Sequence, residues 1–248
     1  ERNRYADIVP FVDNRVILQH PIDNHDYINA SHISLASPNG TVKKYIATQG
    51  PKRNTASHFW WMIAHHTSDP ATIVMLTPLE EGPIEKCYKY WPDSSSIDIG
   101  HGGSVYFVSK AVDESSTAVI TQLSLKFQSP DGATEIQKTV NHIHFCQWPD
   151  FSRPQGERLV LNLIETVNSY HTDPSSPLVV HCSAGVGRTG TYIAASFIID
   201  NFADLYIAHK DLDFQDTVND PVFQVVSQLR AQRAYMVMNL EQYEFIYH

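Results

Sequence analysis

A stretch of 16 residues, PLVVHCSAGVGRTGTY at positions 177–192, restricts the fold of this chain more than any other. Leu178, Val179 and Val180 form an apolar, β-branched run that predicts a buried strand, and a helical pattern begins at Thr189. The short loop between them would bring several backbone N–H groups and the positive end of a helix dipole to one point. Such a strand–loop–helix unit predicts a binding site for an anion of phosphate size.

Two side chains of this loop are suited to phosphoryl transfer. Cys182 follows the strand, where amide dipoles, the helix N-terminus and Arg188 favour its thiolate form. Arg188, six positions later, can hold two phosphate oxygens in its planar guanidinium group. Gly185 and Gly187 supply the backbone freedom that the turn requires. A thiolate facing a held phosphoryl group is an activated nucleophile, so the loop predicts transfer of phosphate to cysteine.

The order of the remaining patterns predicts the fold class. At 248 residues and 42% hydrophobic residues, the chain is long and apolar enough for one large domain or two small ones. Strand patterns come first and then alternate with helical ones, which favours an α/β (α+β) fold. We expect one domain over residues 1–248, with a highly twisted mixed central β-sheet flanked by helices on both sides.

The individual elements are predicted from periodicity and turn residues. We expect a loop over residues 3–18, a hairpin around residues 37–40, and a helix over residues 54–66 capped by Asn54 or Thr55. Further strands are predicted at residues 72–77, 86–91, 104–112, 118–127 and 139–148, and further helices at residues 156–170, 189–202, 222–232 and 241–247.

Charge and cysteine content exclude several classes of function. The net charge of −9 argues against nucleic acid or an anionic membrane as the main partner. The sequence contains no run of about 18 apolar residues, so no membrane span is predicted. Three cysteines do not make a disulfide framework, and a working thiolate favours a reducing compartment, the cytoplasm or the nucleus. The scattered histidines lack a third ligand at metal spacing, so we expect them to be core or surface residues that bind no metal. No cofactor is expected. The chain opens without Met, as a fragment of a longer protein would.

Transfer of phosphate from an alcohol or phenol also needs a general acid for the leaving group. The motif Trp-Pro-Asp occurs twice, ending at Asp93 and at Asp150, and the pattern alone does not choose between them. Asp150 lies between a predicted strand and a predicted helix, and is followed by Phe151, an aromatic ring that could close over a substrate ring. Asp93 is followed by a Ser-rich stretch.

The string HCSAGVGRTG resembles the signature of the protein tyrosine phosphatase family, in its tyrosine-specific, non-receptor-like branch. NRYADIVPF, DYINAS, YIATQGP, NTASHFWWM and EGPIEKCYKYWP extend the resemblance over the whole chain. It implies a metal-independent protein-tyrosine phosphatase that forms a cysteinyl-phosphate intermediate. Phosphotyrosine-containing proteins are then the expected partners, and a monomeric domain the expected state.

The resemblance also implies roles for residues far from the loop. Tyr5 is expected to wall the cleft and set its depth, and Asp7 to hold the substrate backbone. Glu81 would orient the loop arginine, and Lys86 corresponds to the lysine near the acid loop. The acid loop of the family falls at Asp150, which leaves Asp93 as a solvated turn residue.

The resemblance also implies roles for residues within the signature and for residues near the C-terminus. The backbone of the loop residues would bind phosphate oxygens: Ser183, Ala184, Gly185, Val186 and Gly187. His181 would tune Cys182, and the hydroxyl of Thr189 would ease departure of the thiolate. Gln242 would position the hydrolytic water, but Met238 stands where relatives commonly have a second Gln, and Ala6 where many have Arg or Lys.

Three other functions compete with this interpretation. A phosphotyrosine-binding pseudo-enzyme is disfavoured because Cys182, Arg188 and Asp150 are all present, leaving Met238 as the one departure in its favour. A phosphatase for phosphoserine or inositol lipids is disfavoured by Tyr5 and by the lack of extra basic residues in the loop. A sulfur transferase would have no use for an acid loop.

Overall fold

The computed structural model describes residues 2–22, 24–128, 135–149, 156–209 and 219–248. The strands are β1 (Arg15–Ile22), β2 (His25–Ala36), β3 (Val42–Thr48), β4 (Ala71–Met75), β5 (Glu80–Glu81), β6 (Ile84–Glu85), β7 (Ser96–Gly100), β8 (Gly103–Val112), β9 (Val119–Gln128), β10 (Glu135–His144) and β11 (Leu178–His181). The helices are a 3-10 turn (Arg53–Thr55), α1 (Ala56–His66), α2 (Glu157–Tyr170), α3 (Gly187–Asp200), α4 (Phe202–His209), α5 (Pro221–Gln232) and α6 (Leu240–Phe245).

Nine of the strands form one mixed sheet in the order β1-β2-β3-β11-β4-β10-β9-β8-β7. The central strands β3, β11, β4 and β10 run parallel, and the outer pairs are antiparallel. All residues of β4 and β11 are buried, as expected for parallel strands that are covered on both faces. Because β11 lies at the centre, the loop that follows His181 opens at the carboxyl edge of the parallel strands.

Helices cover both faces of the sheet, as the sequence predicts. One face packs against α1, which contributes Trp60 and Met62 to a core together with Val179 of β11. The other face packs against α2, α3, α5 and α6, and its core contains Val180 and Tyr192. The alternating side chains of β11 therefore enter two different cores, which holds the strand in one register.

The hairpin around residues 37–40 is confirmed, since β2 and β3 pair antiparallel on either side of it. The prediction of a loop over residues 3–18 is wrong at its end, because β1 begins at Arg15. Val16 and Leu18 of this strand are buried while Ile17 is 51% exposed. Three consecutive apolar residues hide this alternation in the sequence.

The strand predicted at residues 86–91 is also wrong. Here the backbone N–H groups of Cys87 and Tyr88 donate to the carbonyl oxygens of Leu79 and Pro51, at 3.1 and 2.8 Å, instead of pairing along a strand. The apolar character of the segment reflects burial of its side chains, with Tyr90 fully buried. In the opposite sense, the Ser-rich stretch after Asp93 leads into β7, which the sequence did not predict.

Several boundaries of helices and strands differ from the predicted ones by a few residues. Asn54 lies inside the 3-10 turn, and Thr55 occupies the N-cap position of α1 without a side-chain cap bond. The helix predicted from Thr189 already begins at Gly187, and it ends at Asp200, after which α4 forms a separate helix. The last predicted strand ends at His144, so residues 145–148 lie outside the sheet.

Lys138 of β10 provides a prediction for stability. Its buried ammonium donates to the carbonyl oxygens of Ile63 (3.2 Å), Ala64 (2.7 Å) and Thr67 at the C-terminal end of α1. Lys138→Met is expected to lower the free energy of unfolding by about 2–3 kcal/mol, because these carbonyls lose a charged donor. Urea denaturation measures this, with the exposed Lys110→Met as control. Equal stability of the two variants would contradict the capping role.

Candidate active site

The loop after β11 places Cys182 against backbone N–H groups. Cys182 is 3% exposed, and the N–H of Gly185 donates to its Sγ atom at 3.3 Å. Helix α3 begins at Gly187, so its N-terminus faces the same point. Gly185 has a φ of +73°, and a Cβ atom there would lie 2.1 Å from the carbonyl oxygen of Thr48. Only glycine fits at this position, as the sequence predicted. The same prediction for Gly187 is wrong, because this residue starts helix α3 and has no positive φ.

Arg188 on the first turn of α3 is held by partners from two other segments. Its Nη1 atom donates to Glu81 Oε1 at 2.8 Å and to the carbonyl oxygen of Trp148 at 3.0 Å. The other carboxylate oxygen of Glu81 lies 3.5 Å from Lys86 Nζ. The structure thus brings together Glu81, Lys86 and Arg188, and a guanidinium fixed in this way is oriented before any anion binds.

A cavity of about 470 Å³ opens above Cys182. Of the residues predicted for the site, those that line it are Tyr5, Asp7, Lys86, Cys182, Ser183, Ala184, Gly187, Arg188 and Gln242. Ile8, Ile84 and Met238 line it as well. Its size is that of small-molecule sites in general, which makes room for a substrate side chain. Val186, in contrast, is fully buried and belongs to the core below.

Tyr5 reaches the loop from the opposite end of the sequence. Its hydroxyl lies 2.9 Å from Ser183 Oγ, so the ring stands beside the loop. The preceding Arg4 anchors this segment by donating to the carbonyl oxygens of Gly50 (3.2 Å) and Pro51 (2.8 Å). The N-terminal segment is therefore fastened as a wall of the cavity.

His181 acts on the backbone of Cys182 rather than on its sulfur. Burial lowers the pKa of His181 to about 3, so the ring is neutral at pH 7. Its Nδ1 atom lies 3.1 Å from the carbonyl oxygen of Cys182 and must donate there, which leaves Nε2 to accept from the Tyr90 hydroxyl at 2.8 Å. Tyr90 in turn lies 2.8 Å from Nε2 of His142, which therefore donates. A directed chain of three hydrogen bonds ends at the peptide of Cys182.

This chain gives a prediction for acid stability. Burial lowers the pKa values of His142 and His181 below 6.5, so the unfolded chain binds protons that the folded protein does not. Their stabilisation is full above pH 6.5 and is lost as the pH falls below that value, at about 1.4 kcal/mol per pH unit for each group. Urea unfolding between pH 7.5 and 5 should show this slope, and His142→Gln should reduce it by about 1.4 kcal/mol per unit. A flat profile, or an unchanged slope in the variant, would contradict the assignment.

Thr189 is fully buried in α3. Among the described residues its hydroxyl has no hydrogen-bond partner, so the structure does not place it in a bond with Cys182 Sγ. The hydroxyl remains available to an acceptor that appears during a reaction.

Gln242 reaches the cavity from α6. Its Oε1 atom accepts from the backbone N–H of Met238 at 3.0 Å, which sets the orientation of the amide group. A Cβ atom on Gly187 would lie 3.1 Å from that amide, so glycine permits the close approach of the two segments. Met238 itself lines the cavity beside it.

Of the two Trp-Pro-Asp motifs, the structure describes the aspartate of only one. Asp150 and Phe151 lie outside the described residues, and the carbonyl of the neighbouring Trp148 binds Arg188 as given above. Asp93 is exposed, as predicted, and forms ion pairs with Lys89 and, at 3.8 Å, with Lys110. The hydrogen bond from Lys89 lowers the pKa of Asp93, which leaves no proton on this carboxylate at neutral pH.

Comparison with known proteins identifies the family of this chain. The sequence profile of the protein-tyrosine phosphatase family matches residues 1–248. The chain belongs to the protein-tyrosine phosphatase family. This agrees with the resemblance of its signature loop and with the mixed sheet that positions it.

Individual relatives of this phosphatase-family chain cover it from end to end. It is 35% identical to tyrosine-protein phosphatase 1 of Saccharomyces cerevisiae, over 100% of the chain and 80% of that protein. It is 39% identical to tyrosine-protein phosphatase 2 of Schizosaccharomyces pombe, over 99% of the chain, and to receptor-type tyrosine-protein phosphatase epsilon of Homo sapiens, over 100%. The chain spans 33% of the length of each of these last two proteins.

Sequence reasoning missed several residues of this phosphatase-family site. Tyr90 and His142 carry the hydrogen-bond chain to His181, and Ile84 lines the cavity. Their signals in the sequence were weak, because a buried tyrosine and histidine have the same pattern as core residues. In the part of the chain that the structure describes, no helix is long and apolar enough to cross a membrane.

Proposed function

We propose that this protein is a single catalytic domain over residues 1–248 that hydrolyses phosphotyrosine in proteins through a cysteinyl-phosphate intermediate. The observation that carries the proposal is the position of Cys182, below a cavity of about 470 Å³ with Arg188 fixed on its wall. The relatives named above are tyrosine-protein phosphatases, which supports the same substrate class.

In the first step, the Cys182 thiolate attacks phosphorus and the bond from phosphorus to the phenolic oxygen breaks. Arg188 and the N–H groups of the loop bind the phosphate oxygens, where negative charge is spread in the transition state. Asp150 donates its proton to the departing tyrosine oxygen. The pairing of Arg188 with Glu81 supports this, because the guanidinium need not reorganise when the substrate binds.

In the second step, water attacks the phosphocysteine and Cys182 leaves as a thiolate. Asp150, now a carboxylate, takes the proton from the water. Gln242 is the residue proposed to position this water, since its amide is fixed at the cavity wall. The hydroxyl of Thr189, which has no hydrogen-bond partner among the described residues, can donate to the leaving sulfur.

Selectivity for phosphotyrosine follows from the depth of the cavity above Cys182. Tyr5 stands beside the loop and lines the cavity with Asp7, so a phosphate must reach past the ring to meet Cys182. A phenol spans that depth and the shorter side chain of phosphoserine does not. Asp7 is proposed to accept hydrogen bonds from the substrate backbone at the mouth. A reducing location, cytoplasmic or nuclear, and a monomeric state belong to the same proposal.

The deciding experiment compares a phosphotyrosine peptide with its phosphoserine counterpart, in EDTA with a thiol reductant. Release of phosphate from the tyrosine peptide alone is expected. Tight binding without release would instead make the protein a phosphotyrosine reader. Equal release from both peptides would contradict the depth argument.

Met238 provides a further prediction. Met238→Gln is expected to speed hydrolysis of the phosphocysteine by about tenfold, because one added hydrogen bond to the water is worth about 1.4 kcal/mol. Burst kinetics and the share of phosphate transferred to an added alcohol measure this, and Met238→Leu is the matched apolar control. An unchanged partition between water and alcohol in Met238→Gln would exclude this position from water placement.

A further inference from the structure

Arg233, the C-cap residue that follows α5, is fully buried behind the signature loop. Its Nε atom donates to the carbonyl oxygen of Gly185 at 2.9 Å, and Nη2 to the carbonyl oxygen of Ala184 at 3.2 Å. The remaining contacts are to Asn29 Oδ1 at 2.7 Å and Ser31 Oγ at 3.1 Å. All four acceptors are neutral. In the part of the chain that the structure describes, no carboxylate forms an ion pair with this guanidinium.

A buried charge without a counter-charge is costly, and proteins normally pair it. Burial lowers the pKa of Arg233 to about 10, so the side chain still carries its charge at pH 7. Arg188 is different, since it forms an ion pair with Glu81. An unneutralised cation against the carbonyl side of the loop favours negative charge on the other side, where Cys182 and a bound phosphate lie.

The two carbonyls that Arg233 binds also determine where two N–H groups point. In a trans peptide the C=O of one residue and the N–H of the next point in opposite directions. The carbonyls of Ala184 and Gly185 belong to the peptides that carry the N–H groups of Gly185 and Val186. With both carbonyls held by Arg233, both N–H groups turn away from it. The Gly185 N–H does point to Cys182 Sγ, at 3.3 Å.

We propose that Arg233 is a positioning residue of the phosphatase reaction, which orients the loop peptides toward the phosphate and supplies the positive charge that favours the Cys182 thiolate. This inference deepens the proposed function and rests on it. The planar guanidinium group orients the loop peptides, and its positive charge favours the Cys182 thiolate. A lysine would retain the charge and lose the fork.

The test uses two variants, Arg233→Met and Arg233→Lys, in a Cys146→Ser background, because Cys146 is exposed and would also react with alkylating agents. Three quantities are measured: the pH midpoint of Cys182 alkylation by iodoacetamide, the Kd of inorganic phosphate, and kcat on a phosphotyrosine peptide. Arg230→Met is the control, because Arg230 binds the carbonyls of Met236 and Val237 instead of the loop.

In Arg233→Met we expect the alkylation midpoint to rise by about one pH unit, phosphate to bind about tenfold more weakly, and kcat to fall by at least tenfold. In Arg233→Lys the midpoint should stay near that of the parent while kcat still falls about tenfold. Arg230→Met should keep the parental midpoint. A merely structural role would lower thermal stability without moving the midpoint.

A folded Arg233→Met protein with the parental midpoint and phosphate affinity would overturn the proposal. If that variant does not fold, Arg233→Lys decides, since parental kcat and phosphate affinity in it would exclude the positioning role. Alkylation and phosphate binding do not require turnover. A parent protein that fails to hydrolyse the peptide, with midpoints that still shift, would therefore reject the proposed function and retain the role of Arg233.

Discussion

Cys182→Ser is expected to lower turnover of a phosphotyrosine peptide by about 10⁴-fold or more while leaving phosphate binding intact. A serine hydroxyl in the same place is not ionised at neutral pH and is a far weaker nucleophile than a thiolate. Binding persists because it depends on the loop N–H groups and on Arg188, which Glu81 and Trp148 continue to hold. Steady-state kinetics give kcat, and calorimetry with phosphate or with the peptide gives Kd.

The matched control is Cys146→Ser, since this thiol is exposed and lies outside the cavity. It should keep the parental kcat. Appreciable turnover by Cys182→Ser would remove this residue from the nucleophile's role. Loss of phosphate binding in that variant, with the fold intact, would contradict the assignment of anion binding to the loop N–H groups and Arg188.

Asp150→Ala is expected to lower kcat by roughly 10²–10⁴-fold, the range found for loss of a general acid. The effect should be largest for phenols with a high pKa, because a poor leaving group needs its proton most. Substrate should still bind, so the variant should accumulate the enzyme–substrate complex. The measurement is kcat for a series of aryl phosphates, compared with a phosphotyrosine peptide.

The chain carries its own control for this prediction in the second Trp-Pro-Asp motif. Asp93→Ala should leave kcat unchanged, because Asp93 is exposed and bound by Lys89 and Lys110. Its lowered pKa also leaves it without a proton to donate. A loss of kcat in Asp93→Ala together with parental kcat in Asp150→Ala would reverse the assignment.

The sequence by itself determined the part of the fold that is local. The strand before Cys182 and the helix after it follow from periodicity over a few residues, and the turn follows from glycine at Gly185, where a Cβ atom has no space. The mixed sheet with helices on both sides follows from the order of such elements. Cys182 and Arg188 predicted phosphate chemistry because they occur within the string HCSAGVGRTG, between a predicted strand and a predicted helix.

The resemblance to a family added Tyr5, Glu81 and Lys86 to the predicted site, because local sequence patterns could not connect these residues to the loop. The contact of Glu81 with Arg188 joins residues 107 apart in the sequence. Asp150 was placed by the same resemblance and stays a prediction. Gln242 lines the cavity as expected, while its role in placing water stays a proposal.

Only the tertiary structure decided which buried polar groups contact the site. Tyr90 meets His181 across 91 residues, and Arg233 meets Gly185 across 48. In the sequence, Tyr90 has the pattern of a core residue, and the segment around it was mistaken for a strand because burial and strand pairing leave the same apolar signature. Hydrogen bonds between distant segments depend on how the elements pack, and no periodicity encodes them. The sequence predicted a loop that can bind phosphate, and the packing determined which distant residues contact that loop.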